Sequence, residues 1–561
     1  MGSEAIEEAG KERRTGIGAP LRAPLFRRMW LASLMSNLGI MILSVGAAWA
    51  MTQLTNAADM IALVQSSLMF PMMLIAMPAG AIADMYDRRR VGLIAIGISL
   101  LGASALSLIT ASGALNPWLL LIFVFLVGIG IALFWPTWQA SAGELAPAEH
   151  LAQAVALNSI SFNVARSIGP AIGGVIVAIA GAVAAFSANA LLFIPLLLVL
   201  FRWRRVQEPS RLPPERLAKA ISSGARFVFH SPPQRAVLLR SFAHCLAGSA
   251  IMALMPVVAR DLLHGNALVY GVILGAFGVG AVIGALNISV LRERFDLARA
   301  PAVLSLGTAA MIAVVAVSGN LILTAGALLV MGATWMVLMT LFNISIQLSA
   351  PRWVTARAVG AFQTSTSGGI AIGSWLWGHV AQGQGIVTAL LGSAVAVGLT
   401  VLLGRRLPDA AMRGNDLEPV ELGTPEVALA LKGRSGPIVI EVEYRVDRAE
   451  ARAFYDAMQQ IQRMRQRNGA YDWSIARDIT DPELWTERYH CPTWHDYLRL
   501  RGRYTTEDMA TLDRAYAFHR DAEPPRVLRR LERPFGSVRW REDAPDRGTE
   551  VMPIASPLAN G

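Results

Sequence analysis

Arg166 is the residue whose type and position most strongly suggest chemistry, because it lies about halfway along the apolar run 154–179. If that run crosses a bilayer, the charge costs from about 3 kcal/mol upward, so the side chain needs a wet cavity or a partner. A guanidinium placed there could bind an anion or an acceptor-rich molecule. The alternatives are a side chain that extends toward the membrane surface and a structural contact between helices.

Other polar side chains interrupt the apolar runs and could form hydrogen bonds to a bound molecule. His244 is the best placed to titrate near neutral pH, and the alternative is a hydrogen-bonded core histidine. The remaining candidates are amides, at Asn37, Asn163, Asn343 and Gln363. No Asp or Glu lies in the middle of a run, and no Gly-x-x-x-x-Gly-Lys-Ser/Thr segment is present to hold nucleotide phosphates. We expect no metal site and no cofactor.

A charged segment, PAGAIADMYDRRRVG at residues 78–92, separates two apolar runs. Gly80 and Asp84 share one face of a helix, so Gly80 would let a neighbouring helix approach and Asp84 would face it. Asp84 could then accept hydrogen bonds from a helix N-terminus or pair with an arginine such as Arg88 or Arg89. This pattern predicts a gate contact, and the alternative is a simple charged turn.

A second motif, GPAIGG, follows Arg166 by one turn. Pro170 removes a backbone donor and is expected to bend the helix. Gly169, Gly173 and Gly174 would allow close packing against another helix. The motif therefore predicts a bend point at a helix contact, and ordinary packing of small residues is the alternative.

The elements that must position these residues are apolar runs of membrane length. The chain has 561 residues, 54% of them hydrophobic and 16% charged, and about 20 apolar residues cross a bilayer core. We identify twelve such runs, which excludes a soluble fold. Spans 1 to 12 are residues 30–51, 60–83, 91–111, 117–138, 154–179, 182–201, 236–259, 268–290, 300–318, 321–348, 358–381 and 384–404.

The basic residues orient these spans. Arg and Lys concentrate before span 1, in the even-numbered loops and after span 12. Loop 4 is an exception because it has no Lys or Arg, and Arg260 is the clear exception among the odd-numbered loops. By the positive-inside rule both termini are cytoplasmic, in a multi-pass protein of the cell membrane. Residues 1–25 are predicted to be a disordered cytoplasmic tail. The basic charge is thus largely an orientation signal, and a nucleic-acid partner is not needed to explain it.

An internal repeat divides the spans into two sets of six. Residues 162–174 and 362–374 share Phe, Ser, Gly, Ile and Gly at an offset of 200, and Gly80 corresponds to Gly284 at an offset of 204. Span 5 then pairs with span 11, and span 2 with span 8. We predict an N-terminal half at 26–201 and a C-terminal half at 236–406, joined by a basic cytoplasmic linker at 202–235.

The charge density rises to that of a soluble protein after about residue 405. Residues 407–436 have the composition of a linker, and residues 437–536 predict strands and helices in the order βαββαβ, a ferredoxin-like α+β domain. Residues 537–561 are predicted to be a disordered tail. Cys245 and Cys491 fall in the membrane and in the cytoplasm, so we expect no disulfide.

The span 2 motif resembles the loop 2–3 signature of the major facilitator superfamily, matched by Gly80, Asp84, Arg88 and Arg89, with Met85 and Asp87 as departures. The span 5 motif resembles that of its exporter and antiporter branches, with Ala165 in place of the leading glycine. Over residues 20–535 the chain resembles the transmembrane secretion effector branch, which includes enterobactin-type siderophore exporters. This full-length resemblance is carried by the span 2 and span 5 motifs and by a tail pattern formed by Trp494, Tyr497, Leu498, Arg499, Arg503, Thr505, Asp508 and His519. The tail by itself resembles the small dimeric α/β-barrel domains related to antibiotic-biosynthesis monooxygenases.

The resemblance implies a secondary active transporter, not an enzyme, that exports an organic small molecule by alternating access, with the proton as coupling ion. The alternative is a membrane-tethered enzyme or sensor that acts through the tail, where His490, His495, Tyr504 and His519 could form a pocket. A regulatory or dimerising role of the tail is favoured over a catalytic one, which the residues leave open.

Overall fold

The structure is a computed structural model that describes residues 19–145, 150–203, 217–288, 299–351 and 354–407, and residues 420–532 without 421, 424 and 430. The chain forms two compact units. The first contains the described residues within 1–224, 233–348 and 355–411. The second contains those from 412 onward with the short segments Ala225–Pro232 and Ser349–Val354. Each unit is described by itself.

The first unit is helical, and each predicted span lies within a helix, apart from a few residues at the ends of spans 7, 8, 9 and 12. The helices are Pro24–Leu54 (span 1), Ala58–Met85 (2), Arg88–Ala111 (3), Pro117–Leu145 (4), Leu151–Arg202 (5 and 6), Pro232–Val257 (7), Ala267–Leu286 (8), Ala300–Val317 (9), Leu321–Leu348 (10), Thr355–Gln384 (11) and Ile386–Arg406 (12). A linker helix, Leu217–His230, precedes span 7. The first helix begins at Pro24, inside the predicted tail 1–25.

Ten helical segments in the described part of the chain are long and apolar enough to cross a membrane. One of them, Ile160–Arg202, has 43 residues and contains most of span 5 and all of span 6. Helical geometry is interrupted in it at Gly181, whose φ of 74° favours glycine, whereas Pro170 stays within regular helical geometry. The helix of span 11 is less apolar and is not among the ten. The protein is therefore embedded in the membrane by many spans, and the number twelve stays a prediction.

The two halves pack alike. A Cβ atom on Gly173 would lie 3.1 Å from the Cα of Ile42 in span 1, and one on Gly373 would lie 2.3 Å from the carbonyl oxygen of Leu246 in span 7. The offset between Ile42 and Leu246 is the same 204 residues that relates Gly80 to Gly284. Matching glycines thus contact matching spans, as an internal duplication requires.

The halves meet through spans 5 and 8 and through spans 2 and 11. A Cβ on Gly174 would lie 2.9 Å from the Cα of Gly271, so two backbones touch without intervening side chains. The hydroxyl of Ser167 donates to the carbonyl of Gly278 at 3.1 Å. On the other side, Ser66 donates to the carbonyl of Ala371 at 2.8 Å.

The second unit contains a four-stranded antiparallel sheet in the order β2-β3-β1-β4. Its strands are β1 (Ile438–Arg445), β2 (Tyr471–Arg477), β3 (Leu484–Cys491) and β4 (Arg526–Leu531), and its helices are α1 (Ala451–Asn468), α2 (Trp494–Arg501) and α3 (Thr506–Tyr516). The sequence predicts strands at 437–446, 471–479, 483–491 and 526–534, and the first three agree with the structure to within two residues. The fourth ends at Leu531, and residues 533 and 534 lie outside the described part of the structure. Apolar side chains of one sheet face, such as Ile440 and Val442, pack against Phe454 and Met458 of α1. Both cysteines of the protein are free and buried.

A buried ion pair crosses the core of this domain. Glu487 is 0% exposed and accepts hydrogen bonds from Nε and Nη2 of Arg465 at 2.9 and 3.2 Å, from Trp473 at 3.0 Å and from Tyr444 at 3.3 Å. Burial lowers the pKa of Arg465, but the carboxylate of Glu487 and the ring of Tyr489 more than offset that effect, so its pKa lies well above the ordinary value. The ion pair is therefore fully hydrogen-bonded and structural.

Candidate functional site

Arg166 lies on the face of span 5 that points away from lipid. The exposed apolar residues of this helix form a stripe one turn apart, at Ile160, Val164, Ile168 and Ile172. Since each helical residue turns by about 100°, Arg166 lies about 160° from Val164 and from Ile168. Its side chain is only partly buried. The guanidinium therefore retains accessible surface on the inner side of the helix.

The surroundings of Arg166 are aromatic. The guanidinium carbon lies 5.3 Å from the ring centre of Phe277 in span 8, a cation–π contact. Phe162, one turn earlier on span 5, meets Trp135 of span 4 edge to face, with ring centres 5.2 Å apart. Among the described residues, no acid and no hydrogen-bond acceptor binds the guanidinium. The predicted candidate thus has no counter-ion in the described part of the protein, which leaves its charge available to a bound molecule.

The other predicted candidates do not share a contact with Arg166 in the described residues. Asn37 of span 1 donates to the hydroxyl of Ser161 in span 5 at 3.4 Å, within the first half. The carbonyl of Asn163 accepts from Ser167 at 2.9 Å. In the second half, Asn343 accepts from the amide of Gln347, and the carbonyl of Gln363 accepts from Thr366 at 3.2 Å.

His244 lies within the second half. Its Nδ1 is 3.4 Å from the hydroxyl of Ser305 in span 9, and its ring centre is 5.1 Å from that of Trp335 in span 10. The side chain is buried, and Nε2 has no partner among the described residues. This arrangement fits the alternative of a core histidine, because spans 9 and 10 of its own half enclose it.

The charged motif caps helices at the end of the bundle that carries Pro24, which we call the proximal end. Arg89 donates to the carbonyls of Leu200 and Phe201 at 3.2 and 2.6 Å, at the C-terminus of span 6. Asp87 accepts from the backbone N–H of Arg89 at 2.8 Å and caps the helix of span 3. Both contacts stay within the first half.

No described atom would lie within 4 Å of a Cβ added to Gly80, so the close approach of a neighbouring helix at this residue stays a prediction. The motif continues one turn later with Asp84, whose side chain lies outside the described part of the structure. Arg88 begins the helix of span 3. The gate contact expected of the motif therefore stays a prediction.

Asp84→Asn is expected to lower transport while leaving membrane insertion intact, because it removes the acid that would hold the proximal gate. The measurement is the transport rate at equal protein level in the membrane. Arg90→Gln is the matched control, since it removes one charge from the same turn at an exposed position. Unchanged transport in a well-expressed Asp84→Asn protein would exclude Asp84 from the mechanism.

Sequence reasoning assigned no site role to Arg260, which lies at the opposite, distal end of the bundle. It follows span 7 in a π-helical turn, Val258–Leu262. Nε and Nη2 of its guanidinium donate to Oδ1 and Oδ2 of Asp261 at 2.6 and 3.0 Å. Nη1 lies 3.5 Å from the carbonyl oxygen of Thr52 and 3.4 Å from Oδ1 of Asn56. Arg260 therefore bridges span 7 of the second half to the end of span 1. Its one signal in the sequence was its place outside the positive-inside pattern.

Arg260→Ala is expected to shift the protein from distal-closed toward distal-open conformations by about fivefold, because one hydrogen-bonded charge between the halves is lost. The shift is measured as the spin-label distance between Ser112→Cys and Gln384→Cys, at exposed distal positions of the two halves, with Cys245 and Cys491 replaced. Asn320→Ala is the control, since Asn320 bonds Ile322 and Leu323 of its own half. An unchanged distance distribution would contradict the bridging role.

The histidines of the second unit bind separate partners. His490 lies 3.1 Å from Glu532 at the sheet edge, and His519 bonds the backbone N–H of Arg445 at 2.9 Å. Tyr504 contacts Arg465 in the core. His495 follows Trp494 at the start of α2, where its N–H donates to the carbonyl of Gly433 at 2.9 Å. No contact in the described residues joins the four into one site.

The helical halves, their matching glycines and the inward cation define a multi-pass membrane transporter of the major facilitator type. A nucleoside transporter of known structure has the same fold, with a TM-score of 0.56 at 13% identity over 68% of this chain and 98% of that one. A family model described as transmembrane secretion effector matches residues 15–535. The chain belongs to this family.

Two curated relatives are similar to the chain. A staphyloferrin A transporter of Staphylococcus aureus is 31% identical over 261 residues, which are 46% of this chain and 64% of that protein. The chain thus spans less than two thirds of that relative. The multidrug efflux pump Tap of Mycobacterium tuberculosis is 26% identical over 415 residues, which are 71% of this chain and 96% of the pump.

Proposed function

We propose that the protein is a secondary active transporter that exports an organic small molecule across the cell membrane by alternating access. The observation that carries this proposal is Arg166, a partly accessible cation on the inward face of span 5 without a counter-ion in the described residues. A membrane anchor has no use for such a group. The name of one relative, a multidrug efflux pump, agrees with export, and the name of the other, a staphyloferrin A transporter, agrees with transport of a small molecule.

The proposed cycle uses twelve spans with both termini in the cytoplasm. The distal end then faces outward. In this conformation two contacts between the halves close it, one from span 7 to span 1 and one from span 2 to span 11. Arg260 reaches Thr52, and the backbone N–H of Ala58 in span 2 donates to Gln382 of span 11 at 2.7 Å. We therefore assign the structure to the outward-closed part of the cycle, with substrate entering from the cytoplasm.

An ion gradient would drive export, because the sequence has no nucleotide-phosphate motif. We propose the proton as the coupling ion. Histidine is the side-chain type whose ordinary pKa lies nearest neutral pH. His244 lies within span 7, and its enclosure by Ser305 and Trp335 would couple a change of its charge to packing of the second half rather than to substrate contact.

The second unit is proposed to be a ferredoxin-like domain of the monooxygenase-like type with a regulatory or dimerising role. The strand order β2-β3-β1-β4 and the helices between β1 and β2 and between β3 and β4 support the fold. The sheet face opposite the helices carries alternating charges, with Glu441 bonded to Arg530 at 3.0 Å and Arg488 to Glu532 at 2.9 Å. Dimerisation through this face would match charges rather than bury an apolar surface.

Export is tested in everted membrane vesicles from cells with and without the protein. The compounds are anionic iron chelators, macrolides and cationic dyes, each with and without a protonophore. We expect uptake of one class that depends on the protein and is lost with the protonophore. Failure of every class would count against export, and uptake that survives the protonophore would count against proton coupling.

A further inference from the structure

We infer that the inward face of span 5 binds an organic anion that carries an aromatic ring and, at its far end, a hydrogen-bond donor. This inference rests on the proposed transport function and names the substrate class of the same site. It uses three residues of one helical face: Asn158, Phe162 and Arg166.

The three residues form a linear row. They lie four residues apart, so each is displaced by only about 40° in rotation and about 6 Å along the helix axis from the next. Phe162 lies between the cation and the amide, and the ends of the row are about 12 Å apart. A molecule that contacts all three must therefore be elongated.

The cation end requires an anion in the plane of the guanidinium. The contact with Phe277 occupies one face of the group, at 5.3 Å. The five N–H donors of an arginine point outward in its plane, where they match a carboxylate or phosphate fork. None of these donors binds a described residue. The N–H donors at the edge of the guanidinium are therefore available to a ligand, while Phe277 covers one of its faces.

The middle of the row is aromatic. Phe162 and Trp135 are both only partly buried and meet edge to face. Such a pair offers further rings an offset-stacked or edge-to-face contact, which is favourable beyond the burial of apolar area. A saturated ligand gains the burial but not this geometric contact.

The amide end requires a donor. Oδ1 of Asn158 is buried and has no hydrogen-bond partner among the described residues. A buried acceptor without a donor is costly, and a ligand hydroxyl or N–H would satisfy it. A small inorganic anion could not reach from Arg166 to this oxygen. A cationic ligand would be repelled by the charge of Arg166, and no acid in the middle of the spans would offset that repulsion.

The probe that matches this row is 4′-hydroxybiphenyl-4-carboxylate, whose carboxylate and hydroxyl lie about 11 Å apart, close to the span of two helical turns. Three analogues each lack one feature: the methyl ester lacks the charge, biphenyl-4-carboxylate lacks the donor, and 4′-hydroxybicyclohexyl-4-carboxylate has saturated rings in place of the aromatic ones. Binding to the purified full-length protein is measured by isothermal titration. We expect the probe to bind about tenfold tighter than each analogue.

Single-residue variants test which side chain contacts each part of the probe. Phe162→Leu is expected to weaken the aromatic acid about fivefold while leaving the saturated acid unchanged. Asn158→Leu should abolish the difference in affinity between the probe and biphenyl-4-carboxylate. Arg166→Gln should abolish the difference in affinity between the probe and its methyl ester. Val164→Leu on the lipid face is the control and should bind like the unmodified protein.

Equal affinity of the acid and its ester, or an equal loss for aromatic and saturated acids in Phe162→Leu, would overturn the inference. The analogue series on the unmodified protein stays decisive if a variant does not fold. Binding is read without transport, so its failure is distinguishable from a failure of export.

Discussion

Arg166→Ala is expected to abolish export, with a loss of about 30-fold or more, because truncating a charged group at a desolvated contact costs about 2–5 kcal/mol. Arg166→Lys should keep part of the activity, since lysine retains the charge but loses the planar fork. The measurement is the initial rate of export in everted vesicles at equal protein level. Membrane expression and thermal stability should stay near those of the unmodified protein.

Val164→Ala is the matched control for this prediction, because it truncates a lipid-facing side chain half a turn from Arg166. It should export normally. Normal export by Arg166→Ala would remove the residue from substrate contact. Loss of folding in the same variant would instead assign Arg166 a structural role, and the substrate contacts would have to lie elsewhere.

Glu487→Gln is expected to lower the free energy of unfolding of the C-terminal domain by about 3–5 kcal/mol, because it leaves the charge of Arg465 buried without its counter-ion. The stability is measured on the full-length protein, by pulse proteolysis of the C-terminal domain across a urea series.

Glu443→Gln is the control for Glu487→Gln. Glu443 lies on the neighbouring strand β1 and pairs with Arg526 at 3.9 Å, where both side chains are partly exposed. Such pairs contribute about 0–1 kcal/mol. Similar losses in the two variants would show that the buried ion pair is no more important than a surface one.

The features that the sequence predicted well depend on local pattern. Membrane runs are visible because a bilayer sets their length, and β1, β2 and β3 are visible because apolar residues alternate or cluster between turn residues. The division into two halves was predicted from glycines such as Gly173 and Gly373, which occupy matching positions of the repeat. Arg166 was identified as a candidate because a charge in an apolar run is unusual.

The features that could not be predicted depend on which helix lies next to which. The contact of Arg166 with Phe277 joins residues that are far apart in the chain. The same holds for Arg89, which caps span 6 within its own half, and for Arg260, which reaches span 1. The helical periodicity of a sequence shows which face of a helix a residue lies on, but it does not show which other helix packs against that face.

The contact of Gly174 with Gly271 has a consequence for the speed of the proposed cycle. Where larger side chains interdigitate, two helices separate only after several rotamers have changed together. Here backbone meets backbone, and a Cβ on Gly174 would come within 2.8 Å of the carbonyl oxygen of Ala267. Rocking of one half over the other needs no rearrangement of side chains at this point. In the proposed cycle, this glycine pair would therefore lower the kinetic barrier between the two conformations without favouring either one.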